Sequence, residues 1–204
     1  MQTLKIVLST VIISSLTAMS AYAADNYTVG QDMHNLNKAS FTSTATLASF
    51  TGTTQDVTGS AEVDMANLKN SKGDIKINLK TLDTGISRRN EHMNGVLQTE
   101  KNQYAIFRLK SIDKYVKTLP AYKTVIVPIT GDLTINGVTK PIKTTLDLTY
   151  MPEKDKNYRA GQWIRMQTAF NVKLSDHGIK APGIVPLKLN DTVGISLDIM
   201  GMKK

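Results

Sequence analysis

From Ala39 onward, apolar side chains recur at every second position rather than every third or fourth. In "GDIKINLKTL", Ile75, Ile77 and Leu79 fall on one side, and Lys76, Asn78 and Lys80 on the other. In "PIKTTLDLTY", Ile142, Leu146, Leu148 and Tyr150 oppose Lys143, Asp147 and Thr149. The same period joins Ile164, Met166, Phe170, Val172 and Leu174 in "WIRMQTAFNVKL", and Val193, Ile195, Leu197 and Ile199 in "DTVGISLDIM". Successive strand side chains point to opposite faces, so each segment predicts a strand with one buried face. Further strands are expected to begin near Phe41, Val57, Ala105 and Thr124. The total of about eight is the number at which a closed sheet just holds its own side chains or one small ligand.

Turn chemistry joins neighbours in antiparallel fashion. Asn136-Gly137 separates two alternating runs in "TINGVTKPI", and Asn-Gly supplies the two positive-φ residues of a tight hairpin. Pro128 lacks a ladder donor, which predicts an edge strand or a bulge in "TVIVPITG". "MPEKDKNYRAGQ", from Met151 to Gln162, reads as an exposed polar loop.

One segment departs from the period of two. In "SRRNEHMNGVLQTEK", Met93, Val96 and Leu97 recur at helical spacing, with Ser87 as a candidate N-cap and Asn90 or Glu91 near the third position. A short helix with one apolar face is predicted, weakened by Gly95. In an otherwise all-β chain its natural place is over the mouth of the barrel or against one end of the core.

Upstream, Lys5 precedes an apolar run from Ile6 to Ala18, and "AYA" at Ala21 to Ala23 supplies small residues for a peptidase. This pattern predicts a cleavable export signal over 1–23. The run is interrupted by Ser9, Thr10, Ser14 and Ser15 and is short for a membrane span of about 20 residues. Cleavage after Ala23 leaves 181 of the 204 residues, 24–204, enough for one domain with a sizeable core. With no cysteine there is no disulfide, no thiolate metal site and no thiol for a lipid anchor. The formal net charge of +8 raises nucleic acid or anionic membranes as partners. The lysines and arginines, however, alternate singly, as Lys76 and Lys80 or Arg165 and Lys173 do, which is the pattern of a solvated outer face.

Catalytic chemistry is sparse. His34, His92 and His177 fit no metal-binding spacing, and neither a nucleophile elbow nor a phosphate loop is present. Nothing calls for a metal or a cofactor. Ser175, Asp176 and His177 are consecutive, but adjacent residues on a strand face opposite ways, so a polar turn is the simpler reading. Arg88 and Arg89 offer planar forks to a carboxylate or phosphate. The competing role is structural, pairing with Glu91 or capping backbone groups.

The succession "FTSTATLASFTGTT…VTGSAEVD…LDTGISRRNEHM…FRLKSI…GDLTINGVTKPI…GIKAPG…DTVGISLDI" resembles the YceI-like proteins, exported lipocalin-like barrels that bind polyisoprenoids and related amphiphiles. "TGISRRNEHM" and "GDLTINGVTKPI" are its most telling parts. The resemblance implies an all-β, antiparallel barrel of about eight strands with an apolar interior and the Arg89–Leu97 segment over its opening. It also implies a ligand-binding lining of Phe41, Phe50, Ile77, Leu79, Met93, Leu97, Phe107, Leu133, Ile135, Leu146, Leu148, Met166, Phe170 and Val172, with Arg89 and His92 near the polar end. Ala45 stands where many members carry a histidine, Asn102 and Gln103 where many have Tyr-Pro, Leu174 where arginine is frequent, and His177 where an aromatic is. The polar contacts to a head group are therefore the least transferable part.

Three roles follow. The first is a periplasmic carrier or reservoir for a polyisoprenoid, quinone or fatty-acid derivative, without stable membrane insertion and possible as a homodimer. The second is an enzyme on a bound lipid, with His92 or His177 as acid-base and Arg89 stabilising charge; it requires both histidines to face one volume. The third is a partner-binding module whose barrel is plugged by Phe41, Phe107 and Phe170.

Overall fold

The computed structural model describes residues 24–30, 36–152, 161–180, 183 and 188–204. The export segment over 1–23, His34 and most of the loop following Pro152 lie outside the described residues. The strands are β1 (Asp25–Val29), β2 (Lys38–Thr44), β3 (Ser49–Thr54), β4 (Val57–Val63), β5 (Lys72–Asn78), β6 (Tyr104–Ile112), β7 (Thr124–Ile135), β8 (Val138–Pro152), β9 (Gln162–Lys173) and β10 (Thr192–Lys203). Among the described residues one α-helix, α1 (Ser87–Leu97), interrupts them between β5 and β6.

These ten segments make a closed antiparallel barrel of eight staves, because two staves are broken. β1 pairs with Gly201–Lys203 of β10 and β2 with its Gly194–Asp198 stretch, so β1 and β2 lie end to end along one neighbour. β4 and β3 repeat the break on the next stave, pairing with β1 and β2 respectively. Beyond the short 3-10 turn Leu79–Thr81, Asp83 exchanges both backbone bonds with Thr53, at 2.8 and 2.9 Å, which carries the closure past the end of β5.

The hairpin at Asn136-Gly137 forms as read from the sequence, with φ of 51° and 74° and strands in register from Ile135–Val138 outward. Pro128 lies in the interior strand β7, not at an edge. Its missing donor falls where β6 ends, since its carbonyl accepts from Asp113 N–H at 2.8 Å, and a register shift between Leu109 and Ser111 bulges β6 alongside.

The ladder between β8 and β9 is incomplete. Paired residues run from Asp147↔Gln167 to Pro152↔Gln162 only. Past that point side chains take over: Thr168 Oγ1 donates to the Thr145 carbonyl at 2.7 Å and Thr144 Oγ1 to the Ala169 carbonyl at 3.1 Å. The free end of β8 is held by His177, whose Nδ1–H donates to the Val138 carbonyl at 2.9 Å, and by Asn136, which donates to the His177 carbonyl at 3.3 Å.

The core fills the end of the barrel away from α1. Tyr27, Leu68, Val57, Val127 and Ile164 are buried there almost completely. A smaller cluster, Leu79, Leu82 and Ala105, packs under Met93 and Leu97 of α1. Charged side chains pair on the outer surface, as in the two-pronged Arg165–Asp198 contact and Lys110–Asp132 at 2.7 Å.

Candidate ligand cavity

Inside the barrel lie two apolar chambers in line. The inner one, about 160 Å³, runs between the staves from Leu68 and Ile112 up to Phe41 and Ile135. The outer one, about 700 Å³, lies between the barrel mouth and α1. Phe41, Leu79, Leu82, Ile135 and Ile195 line both, so the two chambers adjoin at these five side chains, which form the neck between them. The outer volume is that of a small-molecule site, typically ~300–1,000 Å³.

The aromatic rings leave this space open because they lie on glycines. Phe41 is cross-strand from Gly52, and a Cβ built on Gly52 would sit 2.2 Å from the Phe41 ring. Phe107 covers Gly131 in the same manner, at 2.3 Å. A flat ring can rest directly on a strand only where the facing residue has no side chain, so each phenyl is laid along the wall instead of across the lumen. Phe50 meets Phe41 edge to face, with centroids 5.8 Å apart and planes at 89°. Phe41 and Phe107, two of the three rings in the alternative of a plugged barrel, thus lie against its wall.

The opening of the barrel is organised by "DTGISRRN". Asp83 Oδ1 accepts from Gly85 N–H at 2.8 Å and from Asn90 Nδ2 at 2.7 Å. Asn90 Oδ1 in turn accepts from the Thr84 N–H at 2.9 Å and hydroxyl at 2.6 Å. Arg89 donates through Nε to Thr84 Oγ1 at 2.9 Å and through Nη2 to the Thr84 carbonyl at 2.6 Å. Its guanidinium carbon lies 4.6 Å from the centre of the Phe50 ring, a cation-π contact. These bonds tie the first turn of α1 to the turn before it, while the cap position itself is Ile86, not Ser87, and carries no side-chain capping bond. Asp83 is held below the usual carboxylate range, chiefly by the Asn90 amide and then by the Gly85 N–H.

At its other end α1 stops with Gln98 in the left-handed conformation, its N–H bonded to Asn94 and Gly95 carbonyls. Met93, Val96 and Leu97 face the outer chamber half-buried, and α1 has no fully buried residue. An element of eleven residues held by so little burial opens locally at low cost.

The YceI-like domain profile matches residues 27–200. The chain belongs to the YceI-like family. Among curated relatives, a UPF0312 protein of Photorhabdus laumondii is 34% identical over 139 residues, covering 64% of this chain and 63% of that protein. Protein YceI of Escherichia coli is 32% identical over 131 residues, 63% of each. The alignments thus span under two thirds of the length of these relatives. Among solved structures, a polyisoprenoid-binding domain from Saccharophagus degradans superposes with a TM-score of 0.66 at 17% identity, covering 87% of this chain and 98% of that one. Burkholderia cenocepacia BcnA gives 0.61 at 18% identity, with 80% and 95% covered. At these identities the likeness is one of fold.

In this YceI-like barrel the sixteen residues assigned to the lining are brought together. Ile77, Phe107, Leu133, Leu146, Leu148, Met166 and Phe170 line the inner chamber. Phe50, Arg89, His92, Met93, Leu97 and Val172 line the outer one, and Phe41, Leu79 and Ile135 line both. The histidines are not brought together. His92 is exposed at the rim, whereas His177 is buried under the β7–β8 hairpin and lines neither chamber. Nor does Ser175 meet His177: its N–H and hydroxyl both go to Asp191, at 2.9 and 2.5 Å, and they hold that carboxylate low, the hydroxyl bond most.

Sequence reasoning passed over three kinds of lining residue. Leu82, Ile179 and Leu189 come from turns where no alternation marks a face. Val193 and Ile195 were part of an alternating set that lacked a reason to favour one end. Ser43 shares the parity of Phe41, two residues away, and that parity was the signal for it.

Proposed function

We propose that this YceI-like protein is exported through a signal over 1–23 and holds a long-chain amphiphile in its barrel: a polyisoprenoid, an isoprenoid quinone or a fatty-acid derivative. The supporting observation is the pair of adjoining apolar chambers inside the barrel, beside which Phe41 lies on Gly52 and Phe107 on Gly131. An uncharged chain gains roughly 0.8 kcal/mol per buried methylene, so such a tube binds tightly with few polar anchors. The fold is shared with the polyisoprenoid-binding domain of Saccharophagus degradans, which supports the same ligand class.

In this reading α1 is a lid. Its apolar residues complete the outer wall, while Arg89 keeps its N-terminal end registered on the mouth through Thr84 and Phe50. Among the described residues no helix is long and apolar enough to cross a membrane. The test is native mass spectrometry of protein purified from the exported fraction, followed by organic extraction. A stoichiometric long-chain species released on extraction is the expected outcome. A bare mass that persists after loading with lipid would overturn the reading.

A further inference from the structure

Ser43 lines the outer chamber, whose wall is apolar apart from Ser43 itself and Arg89, Glu91 and His92 of α1; it is 2% exposed, and among the described residues its hydroxyl has no hydrogen-bond partner. Other buried side-chain oxygens without a partner among the described residues, on Tyr27, Thr28 and Gln162, belong to residues that line neither chamber. A buried hydroxyl left unbonded is costly, and native structures retain one where something else supplies the partner.

We infer that Ser43 hydrogen-bonds the polar head of the bound amphiphile, and that this head is an uncharged oxygen group such as a carbonyl or hydroxyl rather than a phosphate or carboxylate. The inference rests on the ligand reading above and adds the head-group chemistry to it. A serine hydroxyl offers one donor and two acceptor sites, which suits a neutral carbonyl or alcohol. An anion buried beside it would need a cation in direct contact. Of the two basic side chains on the chamber wall, Arg89 already donates to Thr84 through two nitrogens and covers Phe50 with its face, and His92 is exposed at the rim, away from the buried Ser43 hydroxyl. Glu91, on the same wall, adds negative charge.

The register gives the orientation. Thr42 pairs with Gly194, which sets Ser43 level with Val193 on β10, while the inner chamber reaches Ile199 on the same strand. Six residues at ~3.3 Å, tilted by ~40°, make about 15 Å of depth below the hydroxyl. A head at Ser43 therefore sends its chain through the neck beside Phe41 and into the inner chamber.

The experiment compares four probes of equal chain length, hexadecanol, hexadecanamide, palmitate and hexadecane, delivered from cyclodextrin to the delipidated protein and to Ser43→Ala. The expected result is that the alcohol and amide bind wild type about tenfold more tightly than hexadecane or palmitate, the value of one well-made hydrogen bond. Ser43→Ala should remove that tenfold and leave hexadecane unchanged. The ligand-free variant should melt no lower than wild type, because the hydroxyl makes no bond within the protein; a lower melting temperature would assign Ser43 a structural role and overturn the inference. A head-group preference that survives in Ser43→Ala, or palmitate as the tightest probe, also overturns it while leaving the carrier reading intact. Failure of all four probes to bind wild type removes the carrier reading, and this inference with it.

Discussion

Gly52→Ala tests whether the neck of the tunnel controls which chains enter. The new Cβ would stand 2.2 Å from Cε1 of Phe41, 2.8 Å from Cζ and 3.1 Å from Cδ1, all atoms of one ring and none of the backbone. Ordinary contact begins near 3.4 Å, so the ring retreats by about 1.2 Å, and the only free direction is the lumen it borders on both chambers. Overpacking of this kind costs about 1–3 kcal/mol, partly offset by ~0.5–1 kcal/mol from replacing glycine in a strand. The fold should survive. Binding should change in a length-dependent manner: chains short enough for the outer chamber keep their affinity, and each methylene denied the inner chamber forfeits ~0.8 kcal/mol. Four excluded methylenes amount to about 3 kcal/mol, roughly a 200-fold loss. Fluorescence displacement with alcohols of eight to eighteen carbons reads this as a profile that climbs with length in wild type and flattens early in Gly52→Ala. Phe41→Leu added to Gly52→Ala should restore the climb, since it removes the ring that the methyl displaces. Identical profiles for wild type and Gly52→Ala would refute the neck.

Other consequences of the geometry can be measured separately. Met93→Glu with Leu97→Glu should weaken uptake of a sixteen-carbon alcohol by tenfold or more while far-UV circular dichroism keeps the strand signal; unchanged affinity would remove α1 as a lid. His177→Ala should lower stability by about 2 kcal/mol, or roughly 4–8 °C in melting temperature for a domain of this size, because the start of β8 loses its side-chain clasp. Calorimetry showing no shift would mean that the clasp is idle. Hydrogen exchange should find alternate amides in the first half of β8 exchanging faster than those of β7, since the β8–β9 ladder begins only at Asp147. For Asp83, whose folded-state pKa lies below the unfolded value of ~3.9, the stabilising contribution is complete above about pH 4 and is lost as pH falls through the lower value. The protection factors of the α1 amides, that is, exchange relative to the intrinsic rate at the same pH, should fall as pH drops below about 4 in wild type and should be low at every pH in Asp83→Ala; protection factors that do not change with pH in wild type would dissociate the carboxylate from the lid.

Much of the barrel was legible because its signals are local. Alternation marked β5, β8, β9 and β10, and Asn136-Gly137 specified the longest hairpin through backbone φ alone. β1 and β3 were not legible. "DNYTV" is short and "SFTGTT" is rich in threonine and glycine, so neither shows an apolar face without its neighbours. Ser87 looked like a cap because serine often is one, but the helix begins one residue earlier, with Ile86 at the cap, and Asn90 and Arg89 instead fold back to fasten the helix to Thr84. The placement of His177 under the hairpin was hidden because its partner carbonyl, on Val138, is 39 residues away.

The sequence by itself determined which faces are apolar, where the chain reverses, and that a short helix divides the strands, because each of these depends on neighbours within a few residues. Whether the apolar interior is full or open was decided by the tertiary structure alone. Phe41 and Phe107 have the volume to plug a barrel of this size, and their composition and parity are the same in either case. Only cross-strand register, which sets one ring on Gly52 and the other on Gly131, turns them from filling into lining. The same register brings Ser43, unremarkable in "FTSTA", to a buried wall where its hydroxyl has no partner among the described residues.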